Sequence, residues 1–290
     1  MERWLWVQRQ DIGPGPRLGH AMAYDSRRKR VVLFGGATGT GLVNDTWEWD
    51  GANWAQVADM GPSPRLAMEM VDDEARGKVV LFGGEGSGTR LGDTWEWNGT
   101  EWTQVADMGP LGRGNHAMTY HERLQRVMLV GGTTSGTVNS ELGDTWQWDG
   151  VEWVQVADTG PRRISPALTY TRNPDRLVLF GGWQGPGWQG DTWQFADGAW
   201  VKLQDMGPGA IDSPRMTQAA MRTILFGAPS GNTPGGTWQF GAPVWVQRQN
   251  MGPVRRRLTS LVYYKDRDRP VLYGGFQNTV LSDTWELTIT

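Results

Sequence analysis

The chain has 290 residues, a net charge of −3 and no cysteine, with 41 glycines and 18 tryptophans. Lack of cysteine excludes disulfides, thiol catalysis and cysteine-ligated metal, and the small net charge gives no general attraction for nucleic acid or an anionic membrane. The N-terminus, Met1 to Trp6, carries no apolar signal core and no run is long enough to span a bilayer, so a cytoplasmic, monomeric chain is expected.

The first strand-like run is Trp6-Val7-Gln8-Arg9-Gln10, and the same five letters recur at Trp245 to Gln249. A repeating unit follows. Strand A covers about 18–24 and is closed by the charged turn Asp25 to Lys29. Strand B, Arg30 to Gly36, is rich in β-branched and aromatic residues and ends in Gly-Gly. After a loop at 37–44, strand C begins at Asp45-Thr46-Trp47 and ends at Asp50-Gly51, a tight hairpin turn. Strand D is Asn53 to Val57, and a Gly/Pro linker leads to the next strand A.

This unit is written six times. Gly-Gly recurs at 83, 131, 181 and 274, with Gly227-Ala228 in the fifth copy, at spacings of 48, 48, 50, 46 and 47 residues. Asp-Thr-Trp recurs at 93, 144, 191 and 283, with Gly236-Thr237-Trp238 in the fifth copy. Several strands in such a period predict a propeller blade. Blades are expected over 17–59, 65–107, 113–158, 163–205, 215–250 and 257–290, in one domain spanning 1–290. The sixth copy lacks strand D, so the N-terminal strand is expected to complete it and close the ring. Fifteen of the eighteen tryptophans fall on the template, in strand C or opening strand D, and are expected to fill the wedges between blades.

Apolar strand B, Gly-Gly, a variable loop, Asp-Thr-Trp and a tryptophan opening strand D make the chain resemble the Kelch-repeat family over essentially its full length. The resemblance implies an all-β fold, a six-bladed propeller with four antiparallel strands per blade. It also implies partner binding on the face that bears the B–C loops and D–A linkers, which here are the longer connections. The residues do not contain the recurrent Gly-His and Trp-Asp pairs of WD repeats.

Three features on that face are candidate binding elements. Arg17, Arg65, Arg113, Arg163, Arg215 and Arg257 precede strand A in each repeat and would form a ring able to hold a carboxylate or phosphate. Alternatively each pairs with a linker acid such as Asp11, Asp59, Asp107, Asp158 or Asp205. The strand C aspartates would then accept from loop amides. Trp183 and Trp188 lie off the template on a Gly/Pro loop, where they would stack on a sugar or fill a partner's pocket. His20, Glu69, His116 and Gln218 are polar residues of strand A. Glu69 is the lone acid at a position read elsewhere as Ala21, Ala117, Ala167, Ala219 and Leu261. His20 and His116 lack a third neighbouring ligand, so no metal is assigned, and no cofactor is expected.

The expected function is a non-catalytic recognition module for a protein, peptide or glycan on the B–C and D–A face. An alternative is an isomerase or mutarotase acting on an anionic sugar or small acid through Glu69 with Arg17, Arg65 and Arg113. A structural or assembly scaffold is a third reading.

Overall fold

The computed structural model describes residues 2–9, 12–137, 140–204, 207–229, 235–241 and 244–290. Among them, twenty-four strands form six antiparallel four-stranded sheets, the blades of a propeller. One 3-10 turn, Lys265–Arg267, is present, and no helix among the described residues is long and apolar enough to cross a membrane.

Strand A is terminal in each sheet and packs against strand A of the flanking blades. Six such strands therefore line the axis: Ala21–Asp25, Glu69–Asp73, Ala117–His121, Ala167–Arg172, Arg215–Ala219 and Ser260–Tyr264. In blade six, the N-terminal strand Trp4–Gln8 pairs with Val280–Ile289, Trp4 opposite Ile289 and Gln8 opposite Trp285. The two chain ends thus share one sheet.

The core is divided among the junctions. Six apolar clusters each join residues of two adjacent blades. The first holds Ala21, Val32 and Phe34 of blade one with Met70, Leu81, Trp97 and Trp102 of blade two. Phe34 meets Trp102 edge to face at 5.3 Å, a preferred geometry for rings of opposite edge and face charge.

Polar latches complement this packing. The strand D tryptophan of each blade donates Nε1–H to the strand C threonine of the preceding blade: Trp102 to Thr46, Trp153 to Thr94, Trp200 to Thr145, Trp245 to Thr192, Trp6 to Thr237 and Trp54 to Thr284. The second glycine of Gly-Gly makes another latch: Gly36 N–H donates to Arg65 O of the next blade at 2.9 Å. Gly36 has φ +101° and a Cβ there would lie 2.9 Å from Leu18 O, so both conformation and proximity require glycine. A third latch is a ring of left-handed residues just before strand A. Gly19, Ala67, Asn115, Ser165, Ser213 and Leu258 all have φ between 51° and 65°. Amides pass hydrogen bonds along it, from Gly19 to Leu258 O, Ala67 to Gly19 O, Asn115 to Ala67 O and Ser165 to Asn115 O.

The B–C connections differ from expectation in three blades. Strands B and C run on as paired hairpins over Arg30–Thr38 and Gly41–Trp49, Asp175–Gln184 and Gly187–Ala196, and Arg269–Phe276 and Val280–Ile289. In blades two and three the connection is a loop with isolated bridges at Glu85 and Thr133.

Trp6 tests the closure. It is 5% exposed, bonded to Thr237 and edge-on to Phe226. Trp6→Ala is expected to cost about 3–5 kcal/mol in denaturant unfolding, against roughly 0.5 kcal/mol or less for exposed Leu5→Ala. A cost for Trp6→Ala no larger than that for Leu5→Ala would contradict closure by this strand.

Candidate functional site

The arginines at the start of strand A are placed by the aspartates of strand C. Arg17 forms a two-pronged pair with Asp45 at 2.7 and 2.9 Å, and Arg65 does so with Asp93 at 2.6 and 2.8 Å. Arg113 with Asp144 and Arg256 with Asp283 repeat the geometry. A further N–H of Arg17 donates to Gly35 O, and Arg65, Arg113 and Arg256 do the same to Gly83, Gly131 and Gly274. In each unit the strand C tryptophan, for example Trp47, donates Nε1–H to the same aspartate. The guanidinium holds Asp45, Asp93, Asp144 and Asp283 below the usual carboxylate range, against burial that pushes the other way. The partner is therefore the strand C aspartate, and neither a linker acid nor a loop amide. Asp11 and Asp205 lie outside the described residues.

Blade four bends the pattern. Arg163 bonds Asp191 at 2.8 Å, while its other arm reaches Gln184 of the B–C hairpin. Blades five and six shift it. Counted four residues back from the equivalent strand A residues Ala21, Arg215 and Ser260, the residue at the place of Arg17 is Ile211 in blade five and Arg256 in blade six; Arg256 bonds the strand C carboxylate, whereas Ile211 bridges Pro229 as Leu18 bridges Ala37. Arg257 is exposed, with its guanidinium 5.0 Å from the Phe276 ring centre. In blade five the arginine and the aspartate are lost together, as Ile211 and Gly236. Ile211 is fully buried, and Trp238 Nε1 has no acceptor among the described residues.

Arg215 lies instead within strand A. Register with strand B makes Ala21, Glu69, Ala117, Ala167, Arg215 and Ser260 equivalent, so Ala219 and Leu261 do not belong to this set. Blades two and five are opposite across the axis, and Arg215 bridges it to Glu69 at 3.1 Å. Arg215 also donates to Thr259 O of blade six. Burial raises the Glu69 carboxyl, partly countered by Arg215. Arg17, Arg65 and Arg113 make no bond to Glu69; their charge is directed into the blades.

His20 and His116 also turn inward. They are 2% and 1% exposed and pack edge-on to Tyr273 and Phe82. Burial, then the nearby arginine, lowers both; His116 is pushed down to about 3 and both rings are neutral at physiological pH.

Trp183 and Trp188 are directly opposed across the blade-four hairpin, with ring centres 5.5 Å apart at 80°. Trp183 also occupies a regular backbone place: its amide and carbonyl bridge Ile164, as Ala37 bridges Leu18. Both rings are half-buried. Beside them, Glu141, Arg162, Gln184, Gly185, Pro186 and Gln189 border a hollow of about 530 Å³, and Glu141 Oε1 accepts the Gly185 amide at 3.0 Å.

An axial cavity of about 870 Å³ runs from Glu69, Arg215 and Ser260 to the A–B turns at Glu74, Glu122, Arg172 and Lys265. Among the described residues, none from a B–C loop lines it, and of the D–A connections only Pro166, next to strand A, does. Near its mouth, Tyr24, Asp72, Tyr120, Tyr170, Gln218 and Tyr263 share one register level. Burial pushes the Asp72 carboxyl up to about 7. The sequence reading overlooked Asp72, whose signal is an acid at a position otherwise mostly tyrosine.

Six sheets closed by the N-terminal strand, with Gly-Gly and Asp-Thr-Trp at their junctions, define a Kelch-type β-propeller. The family description that matches, over residues 1–162, is the KLHDC2/KLHL20/DRC7 Kelch-repeats domain, and the chain belongs to the Kelch-repeat family. No curated protein matches the chain.

Two measurements test this electrostatic account. Arg65→Ala is expected to cost about 3–5 kcal/mol, because Asp93 loses a buried partner. Arg65→Ile combined with Asp93→Gly, the combination blade five carries, is expected to be less destabilising than the two single changes added, by about 1 kcal/mol or more. Strict additivity in a denaturant-based double-mutant cycle would refute the coupling. Asp72 has a raised folded-state value, so its contribution is full below the ordinary carboxylate range and is lost as pH rises through about 7. Asp72→Asn is expected to flatten the wild-type decline in melting temperature over that window; an unchanged slope would contradict it.

Proposed function

We propose that the chain is a non-catalytic recognition module whose protein or peptide partner docks on the face of the B–C hairpins and D–A linkers. Kelch propellers commonly bind proteins, and the framework here leaves variable chemistry on these connections. The observation that carries the reading is the Trp183–Trp188 pair, raised on a hairpin beside the hollow at Glu141 and Arg162. An aromatic anchor next to a charged recess suits a side chain and backbone of a peptide. The edge-to-face arrangement offers no single flat platform of both rings, which favours a peptide over a stacked sugar. Met60, Met108, Leu111 and Met251 on the D–A linkers add exposed apolar contact area on the same face.

Peptides selected from a random library on the immobilised protein provide a direct test. Combined Trp183→Ala and Trp188→Ala is expected to weaken them by about thirtyfold or more, the loss typical of an anchor. Leu124→Ala, on an A–B turn, is expected to leave them unchanged. Equal binding to wild type and the double variant would refute the placement.

A further inference from the structure

The axial cavity opens away from the proposed partner face and has its own chemistry. Its volume, about 870 Å³, lies in the range of small-molecule sites. Four acids line it. Glu69 pairs with Arg215, Glu74 with Lys265 and Glu122 with Arg172. Asp72 is different. Among the described residues no ion pair reaches it. Its Oδ2 accepts the Ser26 amide at 3.1 Å, and its buried Oδ1 has no hydrogen-bond partner. Glu74 and Asp25 add negative potential around it, and its carboxyl is destabilised as an anion by burial. A buried acceptor without a donor is costly, and a cation supplied from outside would remove that cost.

The wall above Asp72 is apolar. Two residues along the same strand, roughly 7 Å, lies a belt made of Met22, Met70, Met118, Leu168, Met216 and Leu261. The Glu69–Arg215 pair crosses the lumen beyond it. Its internal pairing leaves that end without net charge; among the described lining residues Asp72 is the carboxylate that no ion pair reaches, and Arg176, bonded to Gln194 and lying against the Phe240 ring, is the cation without an acid. Tyr24 and Tyr120 occupy the same level on the two adjacent blades and add electron-rich rings.

We propose that the axial cavity is a binding site for a small organic cation, an alkylamine whose ammonium pairs with Asp72 and whose hydrocarbon lies against the methionine–leucine belt. Ammonium pairs with the carboxylate, whose Oδ1 lacks a donor. The apolar body replaces water at the belt. A carboxylate of equal length cannot donate to Asp72.

The test is calorimetric titration of the full chain with hexylamine, hexanol and hexanoate at about pH 8, where Asp72 is ionised and the amine protonated. Hexylamine is expected to bind saturably, with hexanol and hexanoate weaker by about tenfold or more, the size of a charge-assisted hydrogen bond. Asp72→Asn, checked for an intact thermal transition, is expected to bring hexylamine down to the affinity of hexanol. Equal affinity of wild type for hexylamine and hexanol would overturn the proposal, a result readable without any variant. So would absence of hexylamine binding, or hexylamine affinity unchanged in Asp72→Asn.

Discussion

In five of the six blades, strands A, B and C meet at a guanidinium taken out of water. Arg65 and Arg113 have no more than 1% side-chain exposure, and such a charge is tolerable only when every donor is used. The fork meets the strand C aspartate, another N–H meets the Gly-Gly carbonyl, and the strand C tryptophan closes on the same carboxylate. Strand A, the end of strand B and strand C are thereby fixed to one another at a single point. The consequence passes to the neighbouring blade. With aspartate and tryptophan held on one side of strand C, the threonine between them faces the other side, where the next blade's strand D tryptophan donates to it. Asp-Thr-Trp therefore serves two blades with three adjacent letters. Blade five, where Ile211 and Gly236 replace the ion pair together, shows that the charges stand or fall as a unit. One lost alone would leave the other buried and unpaired.

A framework that commits its repeated chemistry inward changes where function can be sought. Of the arginines that look like a binding ring in sequence, Arg17, Arg65, Arg113 and Arg163 are committed to ion pairs with strand C, while Arg215 lies in the lumen and Arg257 on the surface. What distinguishes one blade from another is then confined to hairpin tips and to the few positions of strand A that break the sixfold pattern. Blade four exchanges one bond of its brace for a contact from Arg163 to Gln184, which ties the hairpin bearing Trp183 and Trp188 to the blade body. Anchoring of this kind limits the entropy lost when a partner binds.

The sheet architecture was legible because its signals repeat: strand B, Gly-Gly, Asp-Thr-Trp and the shared letters of the two Trp-Val-Gln-Arg-Gln segments. The candidate site was less so. Arg255, Arg256 and Arg257 are consecutive, and no local property says which one faces Asp283. In blade five Arg215 is the nearest arginine to the expected place, yet it stands four residues beyond the true position, Ile211. Gly236 carried the signal, since a missing aspartate removes the reason for an arginine. The left-handed ring was hidden for a different cause. Its members are Gly, Ala, Asn, Ser, Ser and Leu, and hydrogen bonds between blades link five of them, Leu258, Gly19, Ala67, Asn115 and Ser165. The direction of the cavity was also masked, because loop length suggested one face while the strand A side chains open the lumen to the other.

Broken symmetry inside the lumen has a common origin in blade two. Its strand A carries an acid at two levels where other blades carry mostly small residues or tyrosine, Glu69 and Asp72. At the first level blade five answers with Arg215 from across the axis, and the charge is neutralised within the fold. At the second level blade five has Gln218, which is uncharged and directs its amide to its own turn at Ala220 O. Two acids on one strand thus meet different fates, set by the residue at the same level on the opposite blade. Pairing across the axis closes one end of the lumen electrostatically, and toward the other end Asp72 keeps a buried acceptor without a donor. That division, a satisfied pair above and an unsatisfied carboxylate below, gives the axial cavity a direction that sixfold repetition alone would not produce.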